Sequence, residues 1–336
     1  MSLLRQISLI LFSVVVLSAC SEDDPTLVIH HVNPLWTPDG KTIVAGYDEY
    51  VPVTGDAIAA LRMAPSRLQI MDFATRAKRV IDLVGVSTWH SIYAFDPSGT
   101  ALCFAQHGEI IFYDLQGLQL LKYAPTSGGD PRHLAFSNTG NSFVWIGTTS
   151  SGYTVNLTTY DGVNWTILDT TPLLSVETTE AVLSLVLTSQ RSFAVRMNSG
   201  IVKEIDFNGT ELNSFSIAEL QTDNPWHARL VYYTARGGRY LYAIDANGMM
   251  RMDLSSGTSN LLVGGTLIDF DVSDKRESML YETTTGDIWL SNPDGNPLSR
   301  IAPQNLMPRF SPAANGIALV ARVDTYVDSL HILLLR

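Results

Sequence analysis

The chain has 336 residues, 46% of them apolar and 16% charged, with a formal net charge of −11 at pH 7. That is enough apolar material for a large core. An acidic balance without basic clusters argues against nucleic acid as a partner and against electrostatic binding to anionic lipid.

The N-terminal stretch MSLLRQISLILFSVVVLSAC carries one positive charge at Arg5, an apolar run from Ile7 to Leu17, and then small residues. This is the layout of a secretory signal and is too short for a stable membrane span. Leu17-Ser18-Ala19-Cys20 resembles the bacterial lipobox. The resemblance implies that 1–19 is a lipoprotein signal peptide and that Cys20 carries diacylglycerol on its sulfur. Residues 20–25, with Glu22-Asp23-Asp24, then form a lipidated tether. Ser21 in place of Asp implies, by the sorting rule for such lipoproteins, the periplasmic face of the outer membrane. Cleavage removes one Arg and no acid, leaving 21 basic against 33 acidic side chains, a net charge of −12. Cys103, in the run ALCFA, is then the sole thiol, without a disulfide partner, and reads as a small buried hydrophobe.

From residue 26 onward one sentence repeats: an apolar strand ending in a large residue, a tight polar turn, a second apolar strand, and a hairpin arm ending in Asp or Asn. TPDG follows Trp36, DPSG follows Phe95, SNTG follows Phe136 and SPAANG follows Phe310. Degenerate copies of the turn follow Leu187, Tyr233 and Val272. Successive anchors recur roughly every 40 to 60 residues, the period of a stacked supersecondary unit. The widest gap is the one from Trp36 to Phe95. The second landmark recurs at Asp72, Asp114, Asp161, Asp206, Asp253 and Asn292. Its offset from the anchors Phe95, Leu187, Tyr233 and Val272 is constant to within one position. Two independent landmarks with one spacing make seven units.

Each unit reads as a meander of short strands. PDG and PSG are type I turn chemistry, with Pro presetting φ and Gly accepting a positive φ. The runs KTIVAG, ALCFA, SFVWIG, YLYAI and IALVARV are β-branched and aromatic, of strand length. Gln116-Gly117, Asn208-Gly209 and Ser256-Gly257 are hairpin corners, and the Asp or Asn before each corner is placed to bond the turn backbone. The expected fold is all-β: a seven-bladed β-propeller of four-stranded antiparallel blades, one domain over 26–336. The last unit ends after its third strand, HILLL, so TLVIHHV at 26–32 is expected to supply the outer strand of the seventh blade and close the ring.

NPLWTPDGKTIV and FSPAANGIALV resemble the propeller repeat of the TolB family, the WD40-like or PD40 repeat. The Gly-His and Trp-Asp landmarks of true WD40 repeats are absent. TolB carries an extra N-terminal α/β domain, for which the short stretch between Cys20 and the first strand leaves no room, so the resemblance does not extend to the Tol complex.

Function must lie where the repeat leaves residues unspecified. One place is the insertion from Tyr47 to Ser66, with a helix expected from Asp56 to Met63. Another is the set of polar residues at the starts of the inner strands: His90, Arg132, His133, His227, Arg229, Asp269 and Arg309. Inner strands line the channel of a propeller, so these are the candidate channel-mouth binding residues. Capped strand starts or solvated rim positions are a simpler explanation of them than a metal or catalytic cluster. Trp89, Tyr93, Trp226, Tyr232 and Tyr233 lie at the same level, either as a binding surface or as packing between blades. G-x-S-x-G, H-E-x-x-H, C-x-x-C, P-loop and EF-hand patterns are missing, so neither a catalytic residue nor a metal or cofactor is assigned. The reading favoured is an envelope lipoprotein whose propeller binds a protein or glycan partner without catalysis. The alternative is a hydrolase or lyase acting on polysaccharide, peptide or lactone through a His/Arg/Asp cluster at the mouth.

Overall fold

The computed structural model describes residues 28–50, 66–83, 93–137, 141–189, 191–222, 228–235, 237–245, 247–302, 305–313, 315–322 and 328–335. Blade one is β1 (Val28–Trp36), β2 (Thr42–Tyr50), β3 (Ser66–Asp72) and β4 (Lys78–Leu83). Blade two is β5 (Tyr93–Phe95), β6 (Ala101–Gln106), β7 (Glu109–Asp114) and β8 (Gln119–Tyr123). Blade three is β9 (Asp130–Phe136), β10 (Ser142–Thr149), β11 (Gly152–Asp161) and β12 (Thr166–Glu177). Blade four is β13 (Val182–Leu187), β14 (Ser192–Met197), β15 (Ile201–Asp206) and β16 (Glu211–Ser216). Blade five is β17 (Leu230–Ala235), β18 (Gly238–Ile244), β19 (Gly248–Asp253) and β20 (Thr258–Gly264). Blade six is β21 (Leu267–Ser273), β22 (Ser278–Thr283), β23 (Ile288–Ser291) and β24 (Pro297–Ala302). Blade seven is β25 (Asn305–Phe310), β26 (Gly316–Arg322) and β27 (Asp328–Leu334).

Within every blade the strands pair antiparallel in chain order. The molecule is a seven-bladed β-propeller. Each anchor residue sits at or near the end of its blade's innermost strand, as the repeat predicts. One expectation is corrected in detail. Residues 28–32 do not form the outer strand of blade seven; they run straight on into Trp36 as one inner strand, β1, pairing with Gly46–Tyr50 of β2. Among the described residues blade seven therefore has three strands. The ring closes instead by packing: β1 lies against β25, β26 and β27. Trp36 and Ile43 share a core with Ala318 and Leu330 at that seam. Of the insertion, Tyr47–Tyr50 continue β2 and Ser66 opens β3, while 51–65 and the helix expected from Asp56 to Met63 lie outside the described residues.

Why the second strand of each unit is apolar without alternation is plain from the packing. Both of its faces are buried, one against each neighbouring blade. In β6, Leu102 and Phe104 enter the core shared with blade one, beside Val44, Leu68 and Tyr93. Ala101, Cys103 and Ala105 of the same strand enter the core shared with blade three, beside Phe136, Phe143 and Trp145. A separate apolar cluster fills each of the seven seams. Fully burying one such side chain contributes about 1.5–3 kcal/mol. Cys103 is buried, and burial raises its thiol pKa well above the ordinary value.

The recurrent acid has the structural role that the turn chemistry implies. Asp114 Oδ1 accepts the backbone N–H groups of Gln116 and Leu118 at 2.8 and 2.9 Å. Asp206 Oδ1 does the same for Asn208 and Thr210 at 2.9 and 2.8 Å, and Asn292 for Asp294 and Asn296 at 3.1 and 2.9 Å. Gly117, Gly209 and Gly257 at the corners have φ of +86°, +84° and +70°, as Gln-Gly, Asn-Gly and Ser-Gly require.

Candidate functional site

The inner strands converge on a cavity of about 470 Å³ at one mouth of the channel, with lining from all seven blades. The level of the cavity follows a simple rule: Asn33, His133, Ser184, Leu230, Asp269 and Met307 each stand three places before their blade's anchor. Blade two contributes Tyr93, two places before Phe95. Among the described residues five of the inner strands carry a β-bulge at this level, between Val32 and Leu35, Pro131 and Leu134, Val182 and Ser184, Leu267 and Asp269, and Leu306 and Arg309. An extra residue breaks the alternation of faces and turns a side chain toward the axis, a device often found beside functional sites. At Asn33 and Met307 it takes the backbone to φ of +50° and +55°, each just before a proline. A non-glycine residue held there costs on the order of 1 kcal/mol. The two meet across the closing seam, where the Asn33 N–H donates to Met307 Sδ at 3.3 Å.

One side of the cavity is charged. Arg229 donates from Nη1 to Asp269 Oδ1 at 3.1 Å and from Nη2 to Asp271 Oδ1 at 3.0 Å. Arg309 Nη1 donates to Asp269 Oδ2 at 2.6 Å and to the Pro308 carbonyl at 2.7 Å. Asp269 also accepts the Phe270 N–H at 2.8 Å, and Asp271 Oδ2 accepts the Phe310 N–H at 2.8 Å. Burial pushes the Asp269 carboxyl upward, but the guanidiniums of Arg309 and Arg229 outweigh it and hold the pKa below the usual range. For Arg229, burial acts downward and Asp269 with Asp271 outweighs it, so the pKa is raised. These side chains join blade five to six and six to seven; they are a clasp across two seams. Further stitches lie at the same level. The Leu230 N–H donates to Ser184 Oγ at 3.2 Å, and the Trp36 Nε1–H donates to the Arg309 carbonyl at 3.1 Å. Tyr93 donates its hydroxyl to the Asn33 carbonyl and accepts the Gly46 N–H at 3.0 Å.

The rest of the wall is largely apolar: Pro34, Leu35, Leu185, Leu230, Ile268 and Met307. His133 stands among the lining residues, half-buried. Burial, and then the charge of Arg132 beside it, pushes its pKa down to about 4, so the ring is neutral at pH 7. Among the described residues, His, Cys, Asp and Glu form no group fit to hold a metal ion.

Of the seven residues nominated from sequence, His133, Arg229, Asp269 and Arg309 line the cavity. Arg132 does not: it is exposed, one position along the strand from His133. His90 and His227, with Trp89 and Trp226, lie outside the described residues. Tyr232 and Tyr233 belong to the packing of blade five against its neighbours. Sequence reasoning missed Asn33, Ser184 and Met307. Counting back three from each anchor finds all of them, but nothing in the sequence announces that bulges make this the inward-facing level.

Solved structures share the architecture. The β-propeller domain of Cps50 (Swd1) from Myceliophteria thermophila superposes with a TM-score of 0.63 at 13% identity, covering 91% of this chain and 98% of that one. The Pan2 WD40 domain of Neurospora crassa gives 0.58 at 12%, covering 86% and 85%. The dihydro-heme d1 dehydrogenase NirN, in complex with DHE, gives 0.60 at 12% over 87% of this chain. The chain spans 61% of the NirN structure's length. Identities this low establish the fold alone. No protein-family model and no curated protein sequence matches the chain.

Proposed function

We propose that this chain is a cell-envelope lipoprotein whose propeller is a non-catalytic binding scaffold, holding a protein or glycan partner at the channel mouth. The observation that carries the reading is the convergence of seven inner strands on one cavity whose charged side chains are matched to one another rather than poised for reaction. Pockets of about 300–1,000 Å³ with an apolar wall and a few polar groups are the usual form of a ligand site. The turn motif supports kinship with the TolB-like repeat, and the residues around Cys20 support a lipid anchor, in which each buried methylene contributes about 0.8 kcal/mol. Palmitate labelling of the chain in a Gram-negative host should be lost in Cys20→Ala; unchanged labelling removes the anchor from the proposal.

A hydrolase or lyase working through the same mouth needs a group that exchanges a proton near neutral pH. His133, with a pKa of about 4, is a weak base at pH 7, and this favours binding over catalysis. The test of the binding reading is crosslinking in native envelopes. Wild type should retrieve a specific partner that Leu230→Trp, which fills the cavity, does not. An identical set of crosslinks from both refutes a role for the mouth.

A further inference from the structure

Resting on the reading of the mouth as a binding site, we propose that the group it takes is an uncharged molecule with an aliphatic body and a carbonyl oxygen, of the amide or ester class. Three observations lead there.

The first is charge. Each carboxylate at the cavity is already engaged: Asp269 with two guanidiniums and the Phe270 N–H, and Asp271 behind it with Arg229 and the Phe310 N–H. Glu282, on the strand beside Asp269 and fully buried, accepts the Met307 N–H at 2.8 Å. The arginines are engaged in turn by those acids and by the Pro308 carbonyl. A ligand with a net charge would lose hydration against an apolar wall and meet no unmatched partner among the described residues, which is costly. An uncharged ligand avoids that loss.

The second is the pair of donors left open on Arg309 and Ser184. A guanidinium has five N–H groups and no acceptor. Both bonds that Arg309 makes within the clasp leave from Nη1, so its Nε and Nη2 edge keeps donors beyond the clasp among the described residues. Ser184 Oγ receives the Leu230 N–H, which leaves its own O–H to donate. Two donors of this kind call for an acceptor oxygen on the ligand. A carbonyl supplies one without bringing a charge, and a bond from a guanidinium to it is among the stronger kind.

The third is shape. Leu35, Leu185, Leu230 and Ile268 give the wall an aliphatic surface beside the clasp, and about 470 Å³ accepts a chain of eight or so carbons with its head group.

The experiment uses the full mature chain and three probes of one shape: octanamide, octanoate and octylammonium, titrated at pH 7 by ligand-observed NMR and calorimetry. Octanamide should bind one to one and at least about tenfold more tightly than either charged analogue, a difference of about 1.4 kcal/mol. Ser184→Ala should weaken it about threefold, and Leu230→Trp should abolish it. If Leu230→Trp melts well below wild type, Ile268→Trp fills the same space from blade six. Octanoate or octylammonium binding as tightly as octanamide overturns the proposal, as does octanamide binding that neither filling variant disturbs. If no probe binds while the filling variants still lose the crosslinked partner, the ligand class is wrong and the binding role stands. If the crosslinks are unchanged as well, the role of the mouth falls with it.

Discussion

Asp269→Asn is the sharpest test of the clasp. The carboxylate is 14% exposed and holds Arg229 at 3.1 Å and Arg309 at 2.6 Å, tying blade six to both its neighbours. Asparagine keeps the shape but loses the charge, and turns an N–H2 toward one of the guanidiniums. Removing one member of a buried pair costs about 3–5 kcal/mol because the other charge is left without compensation. Here Arg229 keeps Asp271 at 3.0 Å and Arg309 keeps the Pro308 carbonyl at 2.7 Å, which places the expected loss near the low end, about 3 kcal/mol. For a domain of this size, at about 2 cal/mol/K of unfolding entropy per residue, that corresponds to a fall in Tm of about 4–5 °C. Scanning calorimetry at pH 7 measures it, with Arg132→Gln, an exposed residue outside the clasp, as the control within about 0.5 kcal/mol of wild type. The pH dependence has a definite sign. The Asp269 carboxyl is held below its ordinary pKa in the folded state, so its contribution is complete above about pH 4 and is lost as pH falls through the lower folded value. The gap between wild type and Asp269→Asn should therefore close in acid. A variant melting within about 1 °C of wild type at pH 7, or a gap that widens toward pH 3, would refute the clasp.

Glu204, fully buried in blade four, accepts Thr188 Oγ1 at 2.8 Å, Asn213 Nδ2 at 2.6 Å and the guanidinium of Arg239 from blade five. Glu204→Gln should lower stability by about 3 kcal/mol in urea titrations, and an unchanged midpoint would show that the pair is not needed. His133 is neutral in the fold down to about pH 4, whereas an unfolded chain takes up its proton near pH 6.5. Wild-type stability should thus fall between pH 6.5 and about 4 with a slope that His133→Gln lacks, and NMR titration of the ring should give the same low pKa. Asp114→Ala removes the acceptor for two turn N–H groups and should cost about 1–2 kcal/mol. Asp114→Asn should recover most of that loss, and equal losses in the two variants would mean that the acceptor oxygen is not what holds the corner.

The site was legible in part. Arg229, Asp269, Arg309 and His133 could be nominated because they stand at the starts of inner strands, where a propeller converges. Arg132 was equally eligible by position and is exposed, because the bulge between Pro131 and Leu134 brings His133 and not Arg132 to the cavity. The roles were not legible at all. Asp269 resembles a catalytic acid in the sequence and is a link between blades in the fold, since its partners lie 40 residues away on either side. Asn33 and Met307 line the mouth through a positive φ at a bulge, a backbone feature that has no fixed residue signature.

What the sequence determined by itself was everything carried by short-range chemistry. Tight turns need Gly and Asp at set positions, and central strands buried on two faces need unbroken apolar runs. A unit that recurs seven times along one chain buries those faces by stacking each copy on the next. The tertiary structure alone decided what depends on register between blades. It joined residues 28–32 to the first inner strand instead of the last outer one. It also chose the level at which seven strands turn a side chain inward, and which charges meet there. Those outcomes rest on contacts between units distant along the chain, and a repeat fixes the form of each unit without naming its neighbour's side chains.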